Sequence, residues 1–320
     1  MIYAPVIIPT LNRFEHFKQC LESLANCTWA EYTEVYVGLD YPAKESHWDG
    51  YQKIDLYLKE CGNLNFKKIH VIKRSHNYGI GINGNFTNLS KEALHCCDRI
   101  ICTEDDNVFS PNFLVYMNKG LELFKDDKSI IAINGYRHYY NITIGKNTFF
   151  RQNVDFSAWG FGVWADRFDK YQSIDNGYFK SKLSICSFLK VLKNGNNRAI
   201  QFLNFCDKKW IPQITDNVLS VYAVINDYNV IMPSISLVRN MGFDGTGLNC
   251  NNLSNTIVMK HTQQMISNDN NFEFIGSGFE FYDENKSIYV RSSYGAQGYF
   301  RLLIVVLKYF IRNILKKVYK

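Results

Sequence analysis

The stretch from Ile100 to Phe113 constrains this chain most. Ile100, Ile101 and Cys102 form the short apolar run of a buried strand, and three consecutive acids, Glu104, Asp105 and Asp106, stand where that strand must end. Carboxylates set side by side cannot be buried without a cation. Ser110-Pro111 then reads as an N-cap followed by proline at the first helical position, so a helix is expected at once. The acids fall in a strand-to-helix turn at the carboxyl edge of a sheet, the place where open α/β folds bind ligands. A divalent metal and a phosphorylated substrate are expected there. The competing reading is a solvated cluster that caps the helix.

The rest of the first half supplies the context. Tyr3 to Ile8 is an apolar run closed by Pro9, after which Phe14, Phe17, Leu21 and Leu24 recur at helical spacing. Glu34 to Leu39 is a second strand ending in Asp40-Tyr41-Pro42, and Lys68 to Lys73 is a third. Helices are expected from His47 to Cys61 and from Gly79 to His95, the second entered through Arg74 to Tyr78. Strands alternating with helices in this way imply βαβ crossovers, hence an α/β fold with a mostly parallel sheet flanked by helices.

Beyond Lys128 a strand is expected at Ile130 to Asn134, then an aromatic segment from Asp155 to Trp164. There Gly160 and Gly162 alternate with Trp159, Phe161 and Trp164. Such a segment can pack as a core loop. It can equally line a sugar site, because ring faces stack on the C–H faces of pyranoses and glycine admits close approach.

Composition bounds the function classes. With 320 residues, 46% hydrophobic and 21% charged, the chain is long enough for one large domain or two fused halves. The net charge of +6 would suit nucleic acid, but the basic residues gather only in the last twenty positions and no nucleic-acid-binding signature accompanies them. Nine cysteines without a Cys-x-x-Cys pattern indicate neither a disulfide framework nor a zinc site. Met1 leads almost directly into the first strand, and a reducing cytoplasm is the expected setting.

The ordered set of motifs resembles a GT-A glycosyltransferase: Pro-Thr-Leu-Asn-Arg after strand one, an Asp ending strand two, the Glu-Asp-Asp turn, the Trp-Gly-Phe-Gly-Val-Trp segment, and Arg239 to Gly247. More narrowly it is similar to bacterial family 2-type enzymes and to the N-acetylglucosaminyltransferase that initiates complex N-glycans. The resemblance implies a nucleotide-sugar half at residues 1–125, an acceptor half at 126–250 and a C-terminal extension at 251–298. It implies Asp106 as ligand of Mn²⁺ or Mg²⁺, with Thr10, Asn12, Arg13, Asp40, Asn77, Glu104, Asp105 and Arg239 on the donor side. Trp159, Gly160, Phe161 and Trp164 would meet the acceptor.

Asp216 would be the general base of an inverting transfer, although it, or Thr215, could instead cap the helix that follows. The implied donor is a nucleotide-diphosphate sugar, UDP-linked by preference, and the implied acceptor a glycan or lipid-linked chain in surface polysaccharide synthesis. The segment between Tyr171 and Lys209 has no counterpart in the family pattern. A nucleotidyltransferase and a non-catalytic carbohydrate-binding protein are the alternatives.

Residues 299–320 carry an apolar run, Leu302 to Leu307, and cations at 301, 308, 312 and 316 that align on one helical face. Lys308 interrupts any continuous span, so a basic amphipathic helix lying on an anionic inner leaflet is expected, with packing on the chain's own domain as the alternative.

Overall fold

A computed structural model describes residues 2–81, 83–137, 146–153, 155–207, 216–245, 259, 262–276, 279–280, 302–309 and 311. Strands β1 (Val6–Thr10), β2 (Glu34–Leu39), β3 (Lys68–Lys73) and β4 (Arg99–Cys102) alternate with helices α1 (Phe14–Ala25), α2 (Trp48–Glu60) and α3 (Asn85–Leu94). β1 lies between β2 and β4, β2 is flanked by β3, and all these pairings are parallel. Both faces are covered: Val6 and Ile8 point into one core with Phe17, Leu21 and Leu24 of α1, while Ile7 points into the other with Leu89 and Ala93 of α3. That two-sided burial is why these strands read as continuous apolar runs.

After β4 the structure departs from the expected strand-to-helix turn. Residues Asn107–Phe109 form a short strand, β5, and the helix α4 (Phe113–Leu123) starts later than Ser110-Pro111 suggested. The Ser110 hydroxyl is turned toward Asn112 Oδ1 (2.7 Å) and the Ser267 carbonyl (2.5 Å), so it ties down a distant segment rather than capping α4.

The second half contributes β6 (Ile130–Asn134), β7 (Phe149–Gln152), β8 (Phe161–Trp164), β9 (Asn229–Pro233), β10 (Val238–Asn240) and β11 (Phe279–Glu280). Among the described residues the large sheet runs β11-β7-β9-β6-β8-β4-β1-β2-β3, and β5 pairs separately with β10. The sheet is mostly parallel, but β8 enters antiparallel to both β4 and β6 and so joins the two halves across the expected 125/126 boundary. Gly160 makes the turn into β8 at φ +75, and a Cβ there would sit 2.9 Å from Val238.

β8 leads into α5 (Ala165–Gln172), and the described part of the segment without a family counterpart is mostly helical: α6 (Asn176–Lys182), α7 (Ile185–Leu192) and α8 (Asn196–Phe205), with α7 and α8 packed on α9 (Asp216–Asn226). Residues 302–309 are also helical, with Tyr309 against the second core and Leu303, Leu307 and Ile311 exposed. Among the described residues no helix is long and apolar enough to cross a membrane.

One buried ion pair fixes the α8–α9 layer. Arg198 Nη2 meets Asp155 Oδ1 at 2.6 Å with both side chains almost fully buried, and Arg198 Nη1 donates to Asn217 Oδ1 at 2.9 Å. Removing one partner strands a charge in low dielectric. Arg198→Ala should therefore lose about 3–5 kcal/mol in urea unfolding; a loss under about 1 kcal/mol would mean the pair is dispensable.

Candidate active site

The Glu-Asp-Asp turn leaves the carboxyl end of β4, as expected, and the loop after β1 faces it. Thr10 Oγ1 donates to Asp105 Oδ2 at 2.8 Å. Arg13 lies between two acids, bonded to Asp105 Oδ1 and 2.8 Å from Asp106 Oδ2. Burial alone would lower the Arg13 guanidinium; Asp105 and Asp106 overcome it and raise the group further above its ordinary range.

The single guanidinium does not balance the cluster. Burial raises the Asp105 carboxyl above the usual carboxylate range, and Asp106 adds to the shift despite the opposing pull of Arg13 and Thr10. Glu104 is exposed at its surface, with protein packed densely around it on its other sides. That enclosure, followed by Asp106, Asp216 and Asp105, pushes its carboxyl well up. The influence of Asp216 on Glu104 shows that two sequence-distant motifs lie near one another.

Asp216 starts α9, and its Oδ1 accepts the Ala158 N–H at 2.6 Å. Trp159 follows, half-buried, its ring edge-on to Tyr136 at 4.6 Å and to Phe243 at 5.5 Å. Tyr136 feels both Asp155 and Asp216, which with burial raise its hydroxyl. Trp159 thus stands between the Asp216 wall and the segment that covers the acids. Phe161 and Trp164 do not share that position. They are 2% and 3% exposed on β8, with Trp164 Nε1 donating to the Leu121 carbonyl, and they present no ring face to a sugar. Gly160 is likewise buried, its carbonyl accepting from the Gly135 amide.

A residue that sequence reasoning missed completes the acid site. The antiparallel β5–β10 pair sets Asn240 opposite Asn107, and Asn240 Nδ2 donates to Asp106 Oδ1 at 2.9 Å. Met241 N donates to the Asp106 carbonyl at 2.8 Å, Gly242 N to Asn240 Oδ1 at 2.9 Å, and Asp244 reaches His16 Nε2 at 3.1 Å. Because side chains alternate along a strand, Arg239 is turned away from the acids, and its Nε donates to the Gln264 carbonyl at 2.8 Å. Residues 246–247 of this segment, and 210–215 before Asp216, lie outside the described residues.

The remaining donor-side residues lie at the ends of β1, β2 and β3. The Asp40 carboxylate accepts the N–H groups of Tyr41 (2.9 Å), Tyr78 (2.8 Å) and Gly79 (2.9 Å), gathering the loop after β3 to the end of β2. Asn77 Nδ2 joins it, donating to the Tyr41 carbonyl at 2.7 Å. Asn12 lies where α2 comes closest, its carbonyl against Gly50.

The acid turn suits a hard cation. Its donors are oxygens, and several carboxylates face one guanidinium. Among the described residues no group of three or more His, Cys, Asp or Glu side chains is arranged to hold a metal ion.

No protein-family model matches the sequence, nor does any curated protein. Among solved structures the chain is similar to the mannosyltransferase PcManGT from Pyrobaculum calidifontis in complex with GDP-Man and Mn²⁺, at 11% identity over 53% of this chain and 46% of that one, with a TM-score of 0.36. It is also similar to residues 1–349 of S. aureus TarS, at 16% identity over 53% of this chain and 50% of that one, TM-score 0.36. A third is HddC from Yersinia pseudotuberculosis, at 12% identity over 52% of this chain and 80% of that one, TM-score 0.34. The matches span about half the length of the first two proteins. Overlaps this partial leave the function to be argued from the site's own residues.

Two substitutions probe the local geometry. A Cβ at Gly242 would lie 2.1 Å from Asp106 Oδ2, so Gly242→Ala should displace that carboxylate and abolish any metal-dependent rise in melting temperature, while a preserved rise would show that the covering segment yields. Asp40→Ala leaves backbone amides without their acceptor and should cost about 1–3 kcal/mol, read by chemical unfolding without ligand.

Proposed function

We propose that the protein is a metal-dependent, inverting glycosyltransferase of GT-A type that moves a sugar from a nucleotide-diphosphate donor, UDP-linked by preference, to a glycan or lipid-linked acceptor. The observation that carries this reading is that Asp216 lies near enough to the Glu104-Asp105-Asp106 turn to act on Glu104 electrostatically, while its Oδ1 accepts the Ala158 N–H beside Trp159. Displacement at a sugar carbon needs both functions at once: neutralisation of the leaving diphosphate and a base for the incoming hydroxyl.

Asp106 would hold Mn²⁺ or Mg²⁺, and a bound ion supplies charge neutralisation to the departing nucleotide. Thr10 and Arg13 hold Asp105 in place, and Asn240 holds Asp106. Glu104, exposed in the same turn, would accept hydrogen bonds from hydroxyls of the donor. The Ala158 amide fixes the Asp216 carboxylate, which takes the acceptor proton as the new glycosidic bond forms. Trp159 offers the acceptor an aromatic wall beside it. In this reading the chain works at the inner face of a membrane, where residues 299–320 bind anionic lipid and lipid-linked acceptors are at hand.

Thermal melting with a panel of nucleotide sugars tests the donor class. A ligand at about a hundred times its dissociation constant adds about 2.7 kcal/mol to the folded state. One UDP-sugar should raise the melting temperature only with Mn²⁺ or Mg²⁺ present, and Asp106→Ala should lose the effect; silence across the panel, with metal and without, would reject the reading. Asp216→Asn should lower transfer by about 10²- to 10⁴-fold while sparing the donor-induced shift. Full turnover in that variant would remove Asp216 from the mechanism. Pyrophosphate release from sugar phosphate and nucleoside triphosphate would point to nucleotidyl transfer instead.

A further inference from the structure

From Asn176 through Cys206 the sequence holds no aspartate or glutamate, while Lys180, Lys182, Lys190, Lys193 and Arg198 all fall within it. Arg198 is neutralised internally by Asp155, and Lys190 pairs with Asp227 at 2.5 Å. Lys180, Lys182 and Lys193 are exposed. The same segment carries an apolar ridge. On α7, Ile185 is 80% exposed and Leu189, one turn on, is 51% exposed. The helix is not loose: Ser184 and Ser187 cap it reciprocally, Val191 is buried, and Phe188 packs on the second core. A well-anchored helix therefore presents two aliphatic side chains outward, with exposed lysines before and after them.

We infer that the α6–α7 segment is a docking surface for an anionic lipid bilayer. The charge pattern selects this occupant. The exposed cations Lys180, Lys182 and Lys193 outnumber the acids at the segment's edge, Asp175 and the Lys190 partner Asp227, and so complement a sheet of negative headgroups, while lysine stems can lie along the apolar ridge with their ammonium groups at headgroup level. The eight residues of α7 are far too few to cross a bilayer, so the contact is interfacial. It is carried by residues other than 299–320 and does not rest on the glycosyl-transfer reading.

The test uses the full chain in flotation with vesicles of phosphatidylcholine alone or mixed with phosphatidylglycerol. Wild-type protein should float only with the anionic mixture and detach in high salt. The double variant Ile185→Ser with Leu189→Ser should keep its melting temperature and bind at least about tenfold more weakly. Leu189→Trp should show a blue-shifted emission increment over wild type when anionic vesicles are added. Three results would overturn the proposal: undiminished flotation of the double variant, no emission shift in Leu189→Trp, or a wild-type protein that is dimeric without vesicles and becomes monomeric in the double variant. Complete loss of flotation on deleting 299–320, with the double variant unchanged, would assign the contact to the tail alone.

Discussion

The arrangement depends on one guanidinium. Arg13, two residues into the loop after Leu11, reaches across to the turn that ends β4 and bridges Asp105 and Asp106. Without it, three adjacent carboxyls at the end of a buried strand would repel one another in surroundings that hydrate them poorly. With it, the cluster holds its shape but remains short of positive charge, as the upward displacement of Glu104 and Asp105 records. In the metal-dependent reading, that shortage is what a bound cation would relieve. The surrounding contacts restrict where that cation can sit, since Asn240 fixes one oxygen of Asp106 and Arg13 the other.

The parts of the fold that could be read from sequence are those with a local cause. Glu34–Leu39 and Lys68–Lys73 have the same bounds in the structure as in the sequence reading, because an apolar or alternating run ended by turn residues marks a strand wherever it occurs. Asp216 stands at the first residue of α9, where the family resemblance put a helix start. What escaped is pairing between distant segments. β5 and β10 have three residues each, too few for periodicity to register, and their meeting is invisible until the chain is folded. Arg239 stood out by its charge, whereas the strand geometry gives the acid-facing position to its neutral neighbour Asn240.

The aromatic segment shows how one pattern splits. Trp159 lies before the turn at Gly160 and stays at the cleft; Phe161 and Trp164 lie after it, inside the sheet. Alternation of glycine with rings could not distinguish the two sides, because the partners that bury β8, namely β4, β6 and α4, are all remote in sequence or separated by the turn. Asp40 is a similar case, a strand-end acid whose carboxylate is engaged by amides from a loop nearly forty residues later. The separations of 38 and 39 positions make that contact unreadable from local spacing.

β8 also sets the order in which the molecule can be assembled. While the chain is being made, β1 to β4 are complete once residue 102 has emerged, yet the outer edge of β4 has no neighbour until residues 161–164 arrive to fill it. Through that interval the nascent sheet carries an open row of amides and carbonyls on an apolar strand, the feature most prone to mispair with another chain. Closure of that edge is a long-range event and slow by nature. The strand that unites the two halves is thus also the one that shields the open edge of the first four.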